Sequence, residues 1–301
     1  MGPGSPRHML QEQVSLHLSS HHSARAHAHV YHRALATFFS LGQVLPTHRF
    51  LYSRHGGAFQ STIPQAIRLL SAQPFAGAQP GSSSPPLISS PADEIPDPFT
   101  TGGLTFTTTG TDSFTAPSAY AQNRMAWLHV FPEGCTHQHP DLTLRYFKWG
   151  TARLILESDP MPDVLPIFID GTQHMMPENR TFPRFLPRVN KTLRVSFGEL
   201  VDREATFGDL RKKWQELVRK ETKDGKALAM GELTDELKYG REAVELRIEV
   251  ARRVRDQIEK LRVGAGHAEG DAKLGLAETW AKEPPTEAFP SSVDGSLVRK
   301  E

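Results

Sequence analysis

One carboxylate, one thiol and three imidazoles crowd a single short stretch of this chain, on His129, Glu133, Cys135, His137 and His139. A carboxylate held at a turn can accept a hydrogen bond from a hydroxyl or position a guanidinium. A thiol beside an imidazole can act as a nucleophile when the base is positioned and the thiol pKa is lowered. The local sequence favours the carboxylate. Val130 and Phe131 suit a strand, Pro132 cannot donate to a ladder, and Gly134 allows a backbone conformation or close approach that a side chain would block. The strand therefore ends in a Pro-Glu-Gly corner that displays Glu133. A solvated turn glutamate is the plain alternative. For Cys135, nearness along a strand is not geometry, and the residue reads as non-catalytic.

The elements that must carry this corner are α and β together. Residues 34 to 52 read as a short apolar helix or strand pair interrupted at Pro46, followed by a turn at Gly56-Gly57 and a helix over Ile63 to Ser71. From Ala72 the chain is rich in Pro, Ser, Thr and Gly, as in Gly81-Ser82-Ser83-Ser84-Pro85-Pro86 and Thr107-Thr108-Thr109-Gly110, so residues 72–124 read as a disordered insertion. Such an insertion costs little, because loop closure adds only about 0.6 kcal/mol per doubling of length. After the corner, Tyr146 to Glu157 suits a helix, Val164 to Ile169 a buried strand, and Leu193 to Gly198 a strand alternating at period two. Trp214 to Val218 belongs to a helix. A longer one from Leu233 sets Leu237, Val244, Ile248, Ala251, Val254, Ile258 and Leu261 on one stripe. That helix, 232–263, packs on its own domain or meets a partner or a membrane surface, since its other face mixes Arg252-Arg253 with Asp256. Residues 264–301 read as a disordered tail.

Composition narrows the function classes. With 301 residues, 38% of them hydrophobic, the chain can build one substantial core. A formal charge of +1, from 35 basic and 34 acidic residues that interleave, gives no argument for nucleic acid. One cysteine excludes an intramolecular disulfide framework. No run approaches the roughly 18 to 20 apolar residues of a spanning helix, and the N-terminus has no apolar signal core. The histidines of the first segment (His17, His21, His22, His27, His29, His32) lack the acidic or cysteine partners and fixed spacing of a structural zinc site, so no metal is expected. No other cofactor is implied.

Three segments carry a resemblance to a known family. Phe131-Pro132-Glu133-Gly134 resembles a motif of the glycerolipid acyltransferases. The Arg145-Tyr146-Phe147-Lys148-Trp149-Gly150 stretch narrows this to their mitochondrial phospholipid–lysophospholipid transacylases. Ala36 to Gln60, with Gly42 to Arg49 and Gly57-Ala58-Phe59-Gln60, agrees, and Leu233 to Glu242, with Asp235-Glu236-Leu237-Lys238-Tyr239-Gly240, points to the fungal branch. The resemblance covers residues 34–71 and 125–262. It implies an α/β fold, a mixed sheet flanked by helices, with the acyltransferase domain split into 34–71 and 125–220. It also implies phospholipid and lysophospholipid partners (cardiolipin and monolysocardiolipin), peripheral membrane association, and the intermembrane-space-facing sides of the inner and outer mitochondrial membranes.

By the same resemblance Arg49 binds the substrate phosphate through its planar fork. Glu133 then accepts from a glycerol hydroxyl or positions Arg49, Gly134 admits the head group, and Phe131 and Pro132 complete the motif. Pro166 falls in the strand of a fourth motif, and Trp127, Phe147 and Trp149 line an acyl pocket or fill the core. The family's His-x4-Asp general base has no counterpart here. None of the 14 histidines has an aspartate five positions later, and residues 1–33 contain no aspartate. No catalytic residue is therefore assigned, and this chain as written is expected to be inactive. Because the resemblance starts abruptly near Ala34, residues 1–33 read as an atypical His-rich leader, either disordered or the product of a misplaced exon boundary.

Overall fold

The computed structural model describes residues 45, 47, 48, 55–72, 105–115, 126–183, 186–222, 228–284 and 288–299. The leader 1–33, Arg49 and most of the 72–124 insertion lie outside them.

Helices carry the core. Helix α1 (Thr62–Leu69) takes Pro64 into its first turn, where no intrahelical N–H is needed, and buries Ile63, Ala66 and Ile67. Helix α2 (Trp149–Glu157) follows the corner. Helix α3 (Thr172–Met175) is one short turn. Helix α4 (Arg203–Glu221) starts on Asp202, whose side chain accepts from the Ala205 N–H, and ends on Arg219 and Lys220, both matched to the helix dipole. Helix α5 (Asp235–Tyr239) is capped by Thr234, and Gly240 leads directly into the long α6 (Arg241–Gly264).

The principal cluster joins Ile155 and Leu156 of α2, Phe207, Leu210 and Trp214 of α4, and Leu246, Val250 and Val254 of α6. Each buried side chain of this size stabilises the fold by about 1.5–3 kcal/mol. A second cluster holds Leu45, Ile63, Ala66, Ile67 and Leu154, with Phe106, Leu128, Val130 and Met230 packed on it. Helix α2 thus divides the two, Leu154 facing one and Ile155 and Leu156 the other.

The architecture is mixed α/β, but among the described residues the strands make three small antiparallel sheets where the sequence predicts one mixed sheet. Strands β1 (Thr105–Phe106) and β2 (Phe114–Thr115) pair. Strand β3 (Thr136–Gln138) pairs with β7 (Leu297–Arg299), which pairs with β6 (Ala288–Pro290). Strands β4 (Ile167–Asp170) and β5 (Arg194–Phe197) form the third sheet, Phe168 opposite Ser196. Proline limits the ladders: Pro166 stands just before β4 and Pro290 ends β6, while the strand expected to run into Pro132 is not formed, residues 126–130 being irregular and Phe131 making only a single bridge. The strand expected to be buried from Val164 begins only at Ile167, and on β5 Val195 and Phe197 are exposed.

Three further differences have physical causes. Inside the expected disordered insertion, residues 105–115 form a hairpin because the Asp112 carboxylate accepts from the Thr107 hydroxyl (2.7 Å) and the Thr108 and Thr109 N–H groups (2.6 and 2.9 Å). The expected disordered tail is built instead of two 3-10 turns, Ala272–Gly275 and Ala277–Trp280, and the β6–β7 hairpin. Its few apolar residues are well used, since Trp280, Phe289 and Val298 are all buried. On α6 the buried face is Ala243, Leu246, Arg247, Val250, Ala251, Val254, Arg255 and Arg262, while Ile248 of the expected stripe is exposed. The apolar face of α6 is thus covered by α2 and α4.

Candidate functional site

The Pro-Glu-Gly corner is a braced turn. Gly134 is buried with φ 67°, a conformation that a Cβ would strain, and its N–H donates to the Phe131 carbonyl at 3.3 Å. One oxygen of Glu133 accepts from the Arg145 N–H at 2.7 Å, and the Pro132 carbonyl accepts from the Lys148 N–H at 2.8 Å. The carboxylate therefore ties the corner to the segment that opens α2. Phe131 is exposed and Pro132 half-buried.

Behind the corner lies an ionic wall supplied by the tail. The Arg145 guanidinium makes a two-pronged pair with Glu283 and stacks 3.8 Å from the Trp280 ring centre, both carboxylate and guanidinium being buried. Ser291 also donates to Glu283. His137 contacts Asp294 at 2.9 Å and meets Trp280 edge-on. The Asp294 carboxyl is pushed up by burial, but the imidazole and the hydroxyl and N–H of Ser296 outweigh this and hold it well below the usual carboxylate range. Burial pushes the half-buried Cys135 thiol up, with Arg145, Glu133, Lys148 and Glu283 as the charges around it. His129 packs tilted against Phe131, His137 is engaged by Asp294 and His139 accepts from the Asp141 N–H. That arrangement does not make a thiolate nucleophile of Cys135.

A separate cleft of about 500 Å³ is lined by His55 to Ser61, Thr107 to Gly110, and Tyr239. It is where segments from both ends of the resemblance meet, because Phe59 and Tyr239 pack edge to face with centroids 5.4 Å apart. Arg153 of α2 holds the floor, donating to the Ala58 carbonyl (3.0 Å) and the Gly231 carbonyl (2.8 Å) while paired with Glu157. Arg247 of α6 donates to the carbonyls of Leu237 and Lys238 and fixes the α5 end that carries Tyr239. The far wall is the β1–β2 turn. There the Thr108 hydroxyl lies 2.6 Å from His48 Nε2 and bonds Asp112, giving a His48–Thr108–Asp112 chain at the cleft. Burial lowers the His48 pKa, against the pull of Asp112.

Sequence reasoning found the corner but not these cleft groups. Thr108 and Asp112 sat in a stretch read as structureless, and only the quoted Gly57–Gln60 and Asp235–Gly240 segments signalled the cleft. Phe147 and Trp149 are core residues, whereas Trp127 is 83% exposed. Arg49 lies outside the described residues. Among the described residues no cluster of His, Cys, Asp and Glu could hold a metal ion, and no helix is long and apolar enough to cross a membrane.

No protein-family model matches the chain. It is 34% identical over 244 residues to tafazzin of Saccharomyces cerevisiae, covering 76% of this chain and 54% of that protein. It is 47% identical over 79 residues to an N-acylphosphatidylethanolamine synthase of Arabidopsis thaliana, covering 26% of this chain and 28% of the relative. A taffazin of Dictyostelium discoideum is 39% identical over 77 residues, 24% of this chain and 25% of the relative. These matches define an acyltransferase-like chain. More narrowly, it is tafazzin-like, and it spans about half the length of the yeast relative.

Proposed function

We propose that this chain acts on membrane lipids as a tafazzin-like transacylase, moving an acyl group from a phospholipid to a lysophospholipid without coenzyme A. Monolysocardiolipin and cardiolipin are the proposed acceptor and product, and the surfaces of mitochondrial membranes the proposed place. In the reaction the acceptor hydroxyl oxygen attacks the donor ester carbonyl. The donor C–O bond breaks, the proton passes to the leaving oxygen, and a new lysophospholipid departs. Arg49 is proposed to hold a phosphate, Gly134 to admit the head group, and the second carboxylate oxygen of Glu133 to accept from a glycerol hydroxyl.

What supports this most is the meeting at Phe59 and Tyr239 of the two segments, far apart in sequence, that carry the resemblance. The cleft there offers hydroxyls and an imidazole beside aromatic rings, a lining that suits a polar head group with an apolar chain attached. Because the 301 residues hold no His-x4-Asp pair, we expect transfer by this chain about 10²- to 10⁴-fold below that of a chain with such a base. Lipid binding without turnover is the second proposal, favoured by the same missing pair. Coenzyme A-dependent acylation of lysophosphatidate is a third.

The test uses the purified chain with labelled phosphatidylcholine as donor and monolysocardiolipin as acceptor. Label appearing in cardiolipin without coenzyme A supports the transacylase. Binding of monolysocardiolipin with no transfer favours the lipid-binding protein, and transfer only from acyl-coenzyme A to lysophosphatidate favours the third.

A further inference from the structure

The apolar face of α6 is spent on the chain's own core, and the exposed apolar surface lies elsewhere. Phe182, Leu186, Val189, Leu193, Val195 and Phe197 are all exposed, Phe182 at 89% and Val189 at 81%. They fall in the loop before β5 and on β5 itself. Between Thr181 and Gly198 the sequence carries four basic residues, Arg184, Arg188, Lys191 and Arg194, and no acidic one, in a chain whose charges otherwise nearly cancel. Arg188, Lys191 and Arg194 are exposed beside those apolar side chains.

Residues 186–197 are held in place rather than loose. The Arg188 N–H donates to the Met175 carbonyl at 2.8 Å, and a side chain at Gly171 would run into the Thr192 carbonyl. Strand register sets Phe197 opposite Ile167 and Val195 opposite Ile169. The acids nearest in register or sequence are Asp170, opposite Arg194 and already facing His267 at 3.3 Å, and Glu199 beyond the strand end. Exposed aromatic and aliphatic residues interleaved with exposed cations match a surface that is apolar just below a layer of negative charge.

We propose that Phe182 and the exposed side chains of residues 186–197 are the surface by which this protein docks on a bilayer containing anionic phospholipid, Phe182, Val189 and Phe197 entering the acyl boundary and Arg188, Lys191 and Arg194 meeting the head groups. It builds on the lipid function proposed above and names the surface that function would use. Flotation of the full chain tests it, with vesicles of phosphatidylcholine alone and of phosphatidylcholine with cardiolipin. The chain floats with the anionic vesicles and far less with the neutral ones.

Arg188→Glu with Lys191→Glu lowers the partition at least about thirtyfold, roughly fivefold for each cation removed. Phe182→Ser with Val189→Ser, both well exposed, abolishes flotation while leaving the circular dichroism spectrum unchanged. Ile248→Ser, on the exposed side of α6, leaves flotation as it was. Failure of the parent chain to float, equal flotation of all variants, or a dimer dissolved by Phe182→Ser with Val189→Ser in a chain that does not float would each overturn the proposal. Turnover of lipid in detergent micelles without flotation would remove the docking surface and leave the activity. Flotation without turnover would do the reverse.

Discussion

Phe59 and Tyr239 pack edge to face at 5.4 Å and 75°, and the buried Arg247 guanidinium lies 5.2 Å from the Phe59 ring centre. Three elements thereby converge on the cleft: the turn before α1, the end of α5 and the first half of α6. Burial lowers the Arg247 pKa to about 10, against the pull of Glu157. The side chain keeps its place because its donors meet the Leu237 and Lys238 carbonyls, which the short α5 leaves without helical partners.

Replacing Arg247 by Met should therefore destabilise the fold by about 2–5 kcal/mol, the cost of leaving two buried carbonyls without donors. Ile248→Ser, one residue along on the exposed side, should stay within about 0.5 kcal/mol. Urea unfolding of both variants checks this, the midpoint falling for the first and holding for the second. Tyr239→Ala should leave the fold nearly as stable and weaken lipid binding at the cleft.

The Arg145–Glu283 pair joins the corner to the tail with both side chains buried. Glu283→Gln leaves the guanidinium buried without its counter-charge, so a loss of about 3–5 kcal/mol is expected. Limited proteolysis gives a second readout. The segment after α6 should be cut faster in the variant, while cleavage within α4 and α6 should follow only the global loss of stability.

Much of this was legible in the sequence, and where it was not the reason is physical. Helices α1, α2, α4 and α6 follow their apolar spacing, and the corner follows from Pro132 and Gly134. The expected stripe holds at Leu237, Ala251, Val254 and Ile258 but fails at Ile248 and omits three buried arginines, because hydropathy treats arginine as an outward residue. Arg247, Arg255 and Arg262 are buried through donors that meet main-chain carbonyls, Arg255 reaching those of Leu144 and Arg145, and Arg262 that of Asp141. The tail was misread because its order comes from Glu283 and Asp294 pairing with residues more than a hundred positions earlier, which no local pattern records. The threonine-rich turn escaped because its order rests on one carboxylate, Asp112.

Asp294 gives a pH prediction whose sign follows from its environment. Its carboxyl is depressed in the folded state, so its contribution to stability is fully present above the ordinary carboxylate pKa of about 3.9 and is lost as pH falls below that value. Asp294→Asn should remove this part of the acid limb. The difference in unfolding free energy between parent and variant should shrink as pH falls below about 4. Asp112, Asp209 and Glu259 are shifted in the same direction but are common to both proteins, so the difference isolates Asp294. A difference that did not shrink below about pH 4 would contradict the depressed Asp294 carboxyl.

Glu133 can be a brace, a ligand or both, and two substitutions separate these roles. Gln keeps an oxygen to accept from the Arg145 N–H, now made at 2.7 Å, so Glu133→Gln should leave the unfolding midpoint almost unchanged. Glu133→Ala removes the acceptor and should cost about 1–3 kcal/mol. If the second carboxylate oxygen also accepts from a lipid hydroxyl, Glu133→Gln should weaken monolysocardiolipin binding about tenfold, the usual loss when a charged acceptor becomes neutral. Isothermal titration on both variants, corrected for the folded fraction, decides it. Undiminished binding by Glu133→Gln would make Glu133 a brace of the turn alone and move the head-group contact to the cleft beside Tyr239.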